Sequence, residues 1–347
     1  MTRNRKPTAG LAGAGGFEPP YAGIKIRCLT AWRRPKGRGP YRLISVDSTQ
    51  ATVLYYALAR NRRLRVIPYD ELMQLRSGGE FEYGDRETIL YALGVGFGRD
   101  PLDAGELPFV YENGLRAVPT MATVLASSQS LIGQTGANFL MLVHGEQRLL
   151  FAKPLPPYAQ IVVSERVVGA YDKGKDKGAL IVIERVIRDK HSGDILCTLM
   201  GTAFCRGDGG FGGPKDGAPQ PHQIPSRAPD LTHETATRVD QALLYALCGD
   251  RNPLHRDPQI ARLAGFPRPI LHGLCTYGVA CRAVLATICD YDSARIASFE
   301  ARFSAPVFPG ETIVTDMWIE GPVVSFRSRV KERNVVCLNN GRCTLAV

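Results

Sequence analysis

Asp250 and His255 stand five residues apart in the run Tyr245-Ala-Leu-Cys-Gly-Asp-Arg-Asn-Pro-Leu-His-Arg-Asp-Pro. A carboxylate and an imidazole brought together can act on one water molecule, because histidine titrates near neutral pH. Side chains that share a helix face are three or four residues apart, so this spacing needs a turn to bring the two together. Pro253 supplies it: its ring fixes its own φ and pushes Asn252 out of the α region. The same residues have a plainer use. Asp250 and Asn252 are ordinary turn and cap formers, and His255 fits a satisfied structural histidine equally well. On these six residues alone the two readings stand level.

The elements around this run must position it. Asp257 caps and Pro258 opens a short helix that Gly265 ends. A longer helix is expected from about His272 to Cys289, with Leu274, Tyr277, Cys281, Val284, Leu285 and Ile288 recurring at three and four. Arg282 interrupts its apolar run, which is too short to span a membrane, so it reads as a buried helix. Gly273 sits at its start. A helix N-terminus offers unpaired N–H groups and a positive dipole end, and a glycine there lets a ligand come close; helix packing alone would also account for it. Strands are expected over 160–169, 179–188, 195–205, 295–303, 311–320, 323–330 and 335–345, broken by Pro306-Val-Phe-Pro-Gly310, Gly321-Pro322 and Asn339-Asn-Gly341. A long helix beside antiparallel strands fits a sheet wrapped around a helix.

The chain also repeats itself. Ile89-Leu-Tyr-Ala-Leu93 to Arg99-Asp-Pro-Leu-Asp103 echoes Leu243-Leu-Tyr-Ala-Leu247 to Arg251-Asn-Pro-Leu-His255 at an offset of about 154 residues. Self-similarity at domain length points to duplication of one folding unit. The first copy carries Asp103 where the second has His255, so one half is expected to do chemistry and the other to lend binding surface. Residues 207–229, with five glycines up to Gly213 and then Pro214, Pro219, Pro221, Pro225 and Pro229, read as the linker. No Gly-Lys-Ser/Thr follows the glycines, which argues against a phosphate loop.

Length and charge set bounds. A chain of 347 residues suggests two domains. Its net charge of +10 is unevenly spread: residues 1–69 hold 14 Lys and Arg against Glu18 and Asp47, the remainder 29 against 31 acids. The basic character therefore belongs to the N-terminal segment. A basic arm suits nucleic acid or an anionic surface, and an Arg-rich, acid-poor start resembles a transit peptide. The run Gly15–Cys28 resembles a translated transfer-RNA gene, so a mis-assigned start is also expected, with the protein beginning near Met73 and residues 1–77 poorly ordered. Nine cysteines without a Cys-x-x-Cys pair give no zinc spacing and no disulfide framework, which suits a reducing cytoplasmic setting. Cys248 or Cys275 as a nucleophile competes with the commoner role of buried filler.

The run from Tyr245 to His255, followed by Ala264-Gly-Phe266 and Pro269-Ile-Leu-His-Gly-Leu274, resembles the (R)-specific type 2 enoyl-CoA hydratases, or MaoC-like dehydratases. So do Leu90 to Gly96, Leu142-Val-His-Gly-Glu-Gln147, Gly209-Gly-Phe-Gly-Gly213, and Ala301-Arg-Phe303 with Pro306-Val307 and Pro309-Gly310. The resemblance covers about residue 80 onward. It implies an α+β double hot-dog fold, with two antiparallel sheets each wrapped on a central helix. The implied domains are 78–206, binding substrate and CoA without a catalytic histidine, and 230–347, carrying the catalysis. It further implies reversible hydration of trans-2-enoyl-CoA to (3R)-3-hydroxyacyl-CoA in fatty-acid metabolism or β-oxidation. Asp250 and His255 would be the catalytic dyad, Asn252 an orienting residue and Gly273 the thioester carbonyl donor. His144, Gly145, and Lys177 or Lys173 would bind CoA, together with Arg251, Pro253 and Leu254, and Phe303 would line the acyl or pantetheine channel. The expected partner is an acyl-CoA thioester, with no cofactor beyond it, no metal and no nucleic acid; a homodimer is common in the family. Two rival functions are an acyl-CoA thioesterase and a non-catalytic acyl-CoA-binding hot-dog protein.

Overall fold

The computed structural model describes residues 68–126, 131–138 and 141–346, with the pairs 29–30 and 45–46. The chain divides into two compact units, Met1–Arg63 and Leu64–Val347. The described part of the first is a two-residue ladder pairing Leu29 with Val46 and Thr30 with Ser45. The arm, transit-peptide and mis-assigned-start readings of residues 1–67 otherwise lie outside the described residues.

Ten strands among the described residues of the second unit form one antiparallel sheet. They are β1 Arg76–Tyr83, β2 Leu142–Phe151, β3 Ala159–Asp172, β4 Ala179–Asp189, β5 Ile195–Cys205, β6 Leu231–Ala236, β7 Ile296–Phe303, β8 Thr312–Glu320, β9 Val323–Val330 and β10 Val335–Leu345. Their order is β1-β3-β4-β5-β2-β7-β10-β9-β8-β6. Along the chain both halves show the same succession, as the repeated sequence implies, of one strand, a helical segment, then four strands, and inward from the two edges they run β1-β3-β4-β5-β2 and β6-β8-β9-β10-β7. The halves join at β2 and β7, where Glu146 pairs with Arg302 and Leu150 with Ser298. The result is an α+β double hot-dog. On β3 the inward Ile161, Val163 and Val167 are buried, with Glu165 between them paired to Arg185, while Ser164 and Arg166 are exposed.

Among the described residues six α-helices accompany the sheet: α1 Tyr69–Gln74, α2 Asp85–Gly94, α3 Leu107–Val110, α4 Gln241–Ala246, α5 Pro258–Leu263 and α6 Gly273–Thr287. Helix α6 is buried almost all round, from Cys275 to Leu285. Strands β6, β7, β8 and β10 cover one side, and the first half covers the other with a 3-10 turn, Pro119–Thr123. Apolar residues on every face follow from that double cover. The first half has no helix as long as α6 among its described residues. The 3-10 turns Pro119–Thr123 and Leu131–Gln134 occupy that stretch. The local sequence explains this: Pro119, the β-branched Thr120 and Thr123, and Gly133 and Gly136 all disfavour a continuous helix. Arg282, the break in the apolar run, pairs with Glu106 of the first half, which is 1% exposed.

One expectation needs correcting. Order does not begin at residue 78. Helix α1 puts the fully buried Leu72 into a satellite core with Val167, Ala170 and Phe211, helped by Tyr69 and Met73. Strand β1 starts at Arg76. Residues 207–229, the expected linker, connect the two halves without helix or strand and are tied down along their length. The amides of Gly210 and Gly212 donate to the Asp172 carboxylate at 2.8 and 2.9 Å. Asn340 donates to the His222 carbonyl at 2.7 Å, and the Trp318 indole to the Arg227 carbonyl at 2.8 Å. The glycine cluster thus wraps a carboxylate of its own chain.

Candidate active site

The turn after α4 is built as its residue types dictate. Asn252 is extended, with φ −56° and ψ 124°, before Pro253. The Asn252 amide donates to Asp250 Oδ1 at 3.1 Å, and Asn252 Oδ1 accepts from the Leu254 amide at 3.0 Å. Pro253–His255 then forms a 3-10 turn. The cap reading of Asp250 and Asn252 is therefore true, and it is also what presents His255 inward.

His255 is 9% exposed, and its Nδ1 lies 2.9 Å from the Ile270 carbonyl. A carbonyl only accepts, so Nδ1 carries the proton and Nε2 keeps a lone pair. Its ring stacks on that of His272 at 3.8 Å. His272 Nε2 donates to the Asp250 backbone carbonyl at 3.1 Å. Asp250, His255 and His272 each bring one ligand-type atom within 4.8 Å of the others. A metal ion has the ligands it would need, but two rings stacked face to face suit a hydrogen-bonded water better than a tetrahedral ion. His272 was missed at the sequence level. It sits next to Gly273 in a quoted motif, and only the fold brings it against His255.

His272 is also the N-cap of α6, without a side-chain capping bond, so the first amides of α6, from Gly273 onward, have no intrahelical acceptor. A Cβ on Gly273 would stand 3.2 Å from the Phe303 ring, so any larger residue would make that ring give by a few tenths of an ångström. Phe303 is half-buried and lies 4.6 Å from the His144 ring. His144 belongs to β2, beside a register shift between His144 and Glu146 that leaves Gly145 as the extra residue of a bulge. The structure thus gathers Asp250, His255, His272, Gly273, Phe303 and His144 into one place.

Burial controls the ionisation of the site. Desolvation lowers the pKa of His255 from its usual value, opposed by its bond to Ile270 and the Asp250 charge. It pushes His272 down to about 4, helped by His255, and His144 down to about 4, opposed by Asp250 among others. The imidazoles are neutral at physiological pH. Burial pushes the Cys248 thiol up to about 12 and raises that of Cys275, which removes the thiolate a nucleophile needs.

The remaining expected residues lie further out. Arg251, Asn252 and Pro253 are exposed and Leu254 is half-buried on the outer side of the turn. Arg256 donates to the Arg251 carbonyl. Lys173 and Lys177 occupy the hairpin between β3 and β4. Pairings Leu142 to Cys205, Cys205 to Ala179 and Ala179 to Asp172 set this hairpin level with the start of β2, two to three strands away. That is about 9–14 Å from β2 at the usual strand spacing. Lys177 is exposed, whereas Lys173 Nζ donates to the Lys215 carbonyl at 2.8 Å. Asp103, the counterpart of His255, accepts from the Tyr291 hydroxyl at 2.9 Å, so the matching turn of the first half is filled by a tyrosine. A surface cleft of about 640 Å³ lies at the other end of β4, lined by Tyr83, Tyr158, Asp189 and His191; it holds none of the expected residues.

Comparison with known proteins fits this geometry. The MaoC-like domain profile matches residues 221–340, and the MFE-2 hydratase 2 N-terminal domain profile matches residues 81–207. The chain is 39% identical to the enoyl-CoA hydratase 2, peroxisomal, of Arabidopsis thaliana, over 74% of this chain and 89% of that one. The chain belongs to the MaoC-like dehydratase family. It is also 43% identical to the 3-hydroxyacyl-thioester dehydratase Y of Mycobacterium tuberculosis, over 70% of this chain and 84% of that one. A crystal structure of a MaoC-like dehydratase from Phytophthora capsici superposes with a TM-score of 0.72 at 34% identity, covering 81% of this chain and 98% of that one. In this MaoC-like chain the dyad candidates fall inside one profile, while His144 and both lysines fall inside the other.

Proposed function

We propose that this chain is a hydro-lyase that adds water across the double bond of a trans-2-enoyl-CoA to give (3R)-3-hydroxyacyl-CoA, and reverses that reaction. The observation that carries the proposal is the convergence of Asp250, a neutral His255 and the open N-terminus of α6 at Gly273. Asp250 and the bare Nε2 of His255 are both acceptors, so one water can donate a proton to each and turn its oxygen lone pair toward C3. As that oxygen bonds C3, one of its protons passes to the dyad, and C2 takes a proton from the dyad on the same face. The thioester carbonyl gains negative charge meanwhile, and the Gly273 amide, backed by the helix dipole, is preorganised to receive it. Neutral imidazoles suit this task, since a protonated His255 could not accept from water.

Lys177, exposed in the hairpin two to three strands from β2, suits a CoA phosphate as a point charge. His144, Gly145 and Phe303 would border the pantetheine and acyl path, with Arg251, Pro253 and Leu254 at its rim. No cofactor is proposed beyond the CoA of the substrate, and the assembly proposed is a homodimer. No described helix is long and apolar enough to cross a membrane. The Arabidopsis relative is peroxisomal by name, which favours an organellar location over the cytoplasmic one expected from the cysteines.

The test is turnover of crotonyl-CoA with chiral analysis of the product. Loss of conjugated-thioester absorbance with formation of the (3R) alcohol is expected. Release of free thiol without hydration would favour a thioesterase, and binding without either reaction would favour the non-catalytic module.

A further inference from the structure

His272 is 1% exposed, yet its side chain does not cap the helix that it begins. A polar residue at a helix N-cap ordinarily accepts from an amide of the first turn. This imidazole is used elsewhere. Its Nε2 donates to the Asp250 carbonyl at 3.1 Å, the one hydrogen bond that this carbonyl makes among the described residues. Asp250 follows Gly249, whose φ of 128° lies in a region that glycine enters freely. The peptide between them has room to turn, and the bond from His272 fixes it. The carboxylate leaves the same Cα as that carbonyl, so the direction of the acid is fixed with it.

The same ring stacks on His255 with the two planes 30° apart, and the Tyr245 ring packs 4.9 Å from it. The backbone on either side serves the site too. The Ile270 carbonyl accepts from His255 Nδ1, the Leu271 amide donates to the Val307 carbonyl at 2.7 Å, and Gly273 is next in the chain. Packing alone would be served as well by a phenylalanine. The N–H turned toward a half-buried acid is what packing does not explain. One hydrogen bond there adds modestly to stability; its larger effect is on where Asp250 points.

We infer that His272 is a positioning residue of the hydration site, which holds the acid at 250 and the imidazole at 255 in register with the Gly273 amide. It donates no proton to the substrate, because its one N–H is committed to the Asp250 carbonyl. The inference rests on the hydratase reading and deepens it. One side chain links the three groups that the reaction needs, by a hydrogen bond to the first, a stacked ring on the second and the peptide chain to the third. A shift of about 1 Å in a reacting group can cost about 10²-fold in rate, so loss of this link reaches the chemistry without touching the substrate.

The test separates the hydrogen bond from the ring. In His272→Gln the amide nitrogen falls near the place of Nε2 and can still reach the Asp250 carbonyl. His272→Asn is too short to do so, and His272→Phe keeps the ring without the donor. With crotonyl-CoA and the full chain, the Asn and Phe variants are expected to lose about 30- to 100-fold in kcat with KM within about threefold, and the Gln variant to stay within about tenfold of the wild type. In an Asp250→Asn background His272→Phe is expected to cost less than about threefold, since the acid it positions is gone. Four kinetic results overturn the inference: a Phe or Asn variant within about threefold of the wild type, a change in KM alone, a Gln variant as slow as Phe, or an undiminished loss in the Asp250→Asn background. Crystal structures give a readout free of turnover. The Asp250 turn is expected to move by about 1 Å in the Phe variant and to keep its place in the Gln variant; superposable turns in both overturn the inference. A wild type that does not hydrate crotonyl-CoA strikes the hydratase reading, and the position of the turn still decides whether His272 holds it.

Discussion

Replacing Asp250 with asparagine separates a chemical role from a structural one. Asn keeps the shape and one carbonyl oxygen, so the bond from the Asn252 amide, 3.1 Å long in the native turn, can persist. What goes is the charge. Two effects follow, of predictable size. First, the water loses its anionic acceptor, and positioned acid–base groups are worth about 10²- to 10⁴-fold, so kcat should fall by that factor, or about 3–5 kcal/mol in the barrier. Second, His255 loses a neighbour that favours its protonated form. The two ligand atoms lie within 4.8 Å, where Coulomb's law at an effective dielectric of about 20 gives about 3 kcal/mol. Asp250 is half-exposed, and solvent screening reduces this to roughly 1 kcal/mol, a little under one pH unit. The His255 titration should therefore move further down from its already lowered position. The assay pairs enoyl-thioester turnover with NMR titration of the histidine rings and a thermal melt. The reasoning fails if activity drops less than tenfold, if the His255 titration stays or moves upward, or if the melting temperature collapses.

Three more outcomes are expected. Gly273→Ala would bring a methyl group to 3.2 Å of Phe303 and into the thioester's path, lowering kcat/KM by about 10- to 100-fold with little change in melting temperature; unaltered kinetics would remove Gly273 from the site. Glu106→Ala leaves the Arg282 guanidinium buried and unpaired, which should cost about 3–5 kcal/mol in urea unfolding, whereas a loss below 1 kcal/mol would show that solvent reaches the pair. Lowering the pH should destabilise the fold. Above about 6.5 the histidines are neutral both folded and unfolded; below it the unfolded chain binds protons that His144 and His272, held down to about 4, refuse. Stability should then decline between about pH 6.5 and 4, by up to about 1.4 kcal/mol per unit for each histidine. Flat denaturation midpoints across that window would mean these rings are not desolvated.

Much of this was legible in the residues, for physical reasons that differ by element. Strands β5, β9 and β10 could be read to the residue, because Gly, Pro and Asn mark their ends. Helix α6 could be read from its three-and-four spacing to within a few residues. The Asn-Pro turn announced itself because proline restricts two residues at once. Strand β1 was hidden by its polar, glycine-containing sequence, Arg-Ser-Gly-Gly-Glu-Phe-Glu-Tyr, and by being an edge strand with little to bury. The second central helix was over-read: duplication implied it, but Pro119 and the β-branched residues around it do not support one. His272 could not be found by spacing, since its stacking on His255 needs the α6 N-terminus folded back over the turn. Arg282 looked like a break in a buried helix, and its partner Glu106 is 176 residues away.

The most direct measurement is a double-mutant cycle on kcat/KM with Asp250→Asn, His255→Gln and the pair, using one enoyl-CoA. If both side chains hold the same water, either substitution alone removes most of the rate and the second adds little. Independent, multiplicative losses would mean that the two groups do not act together, and the shared-water mechanism would be wrong.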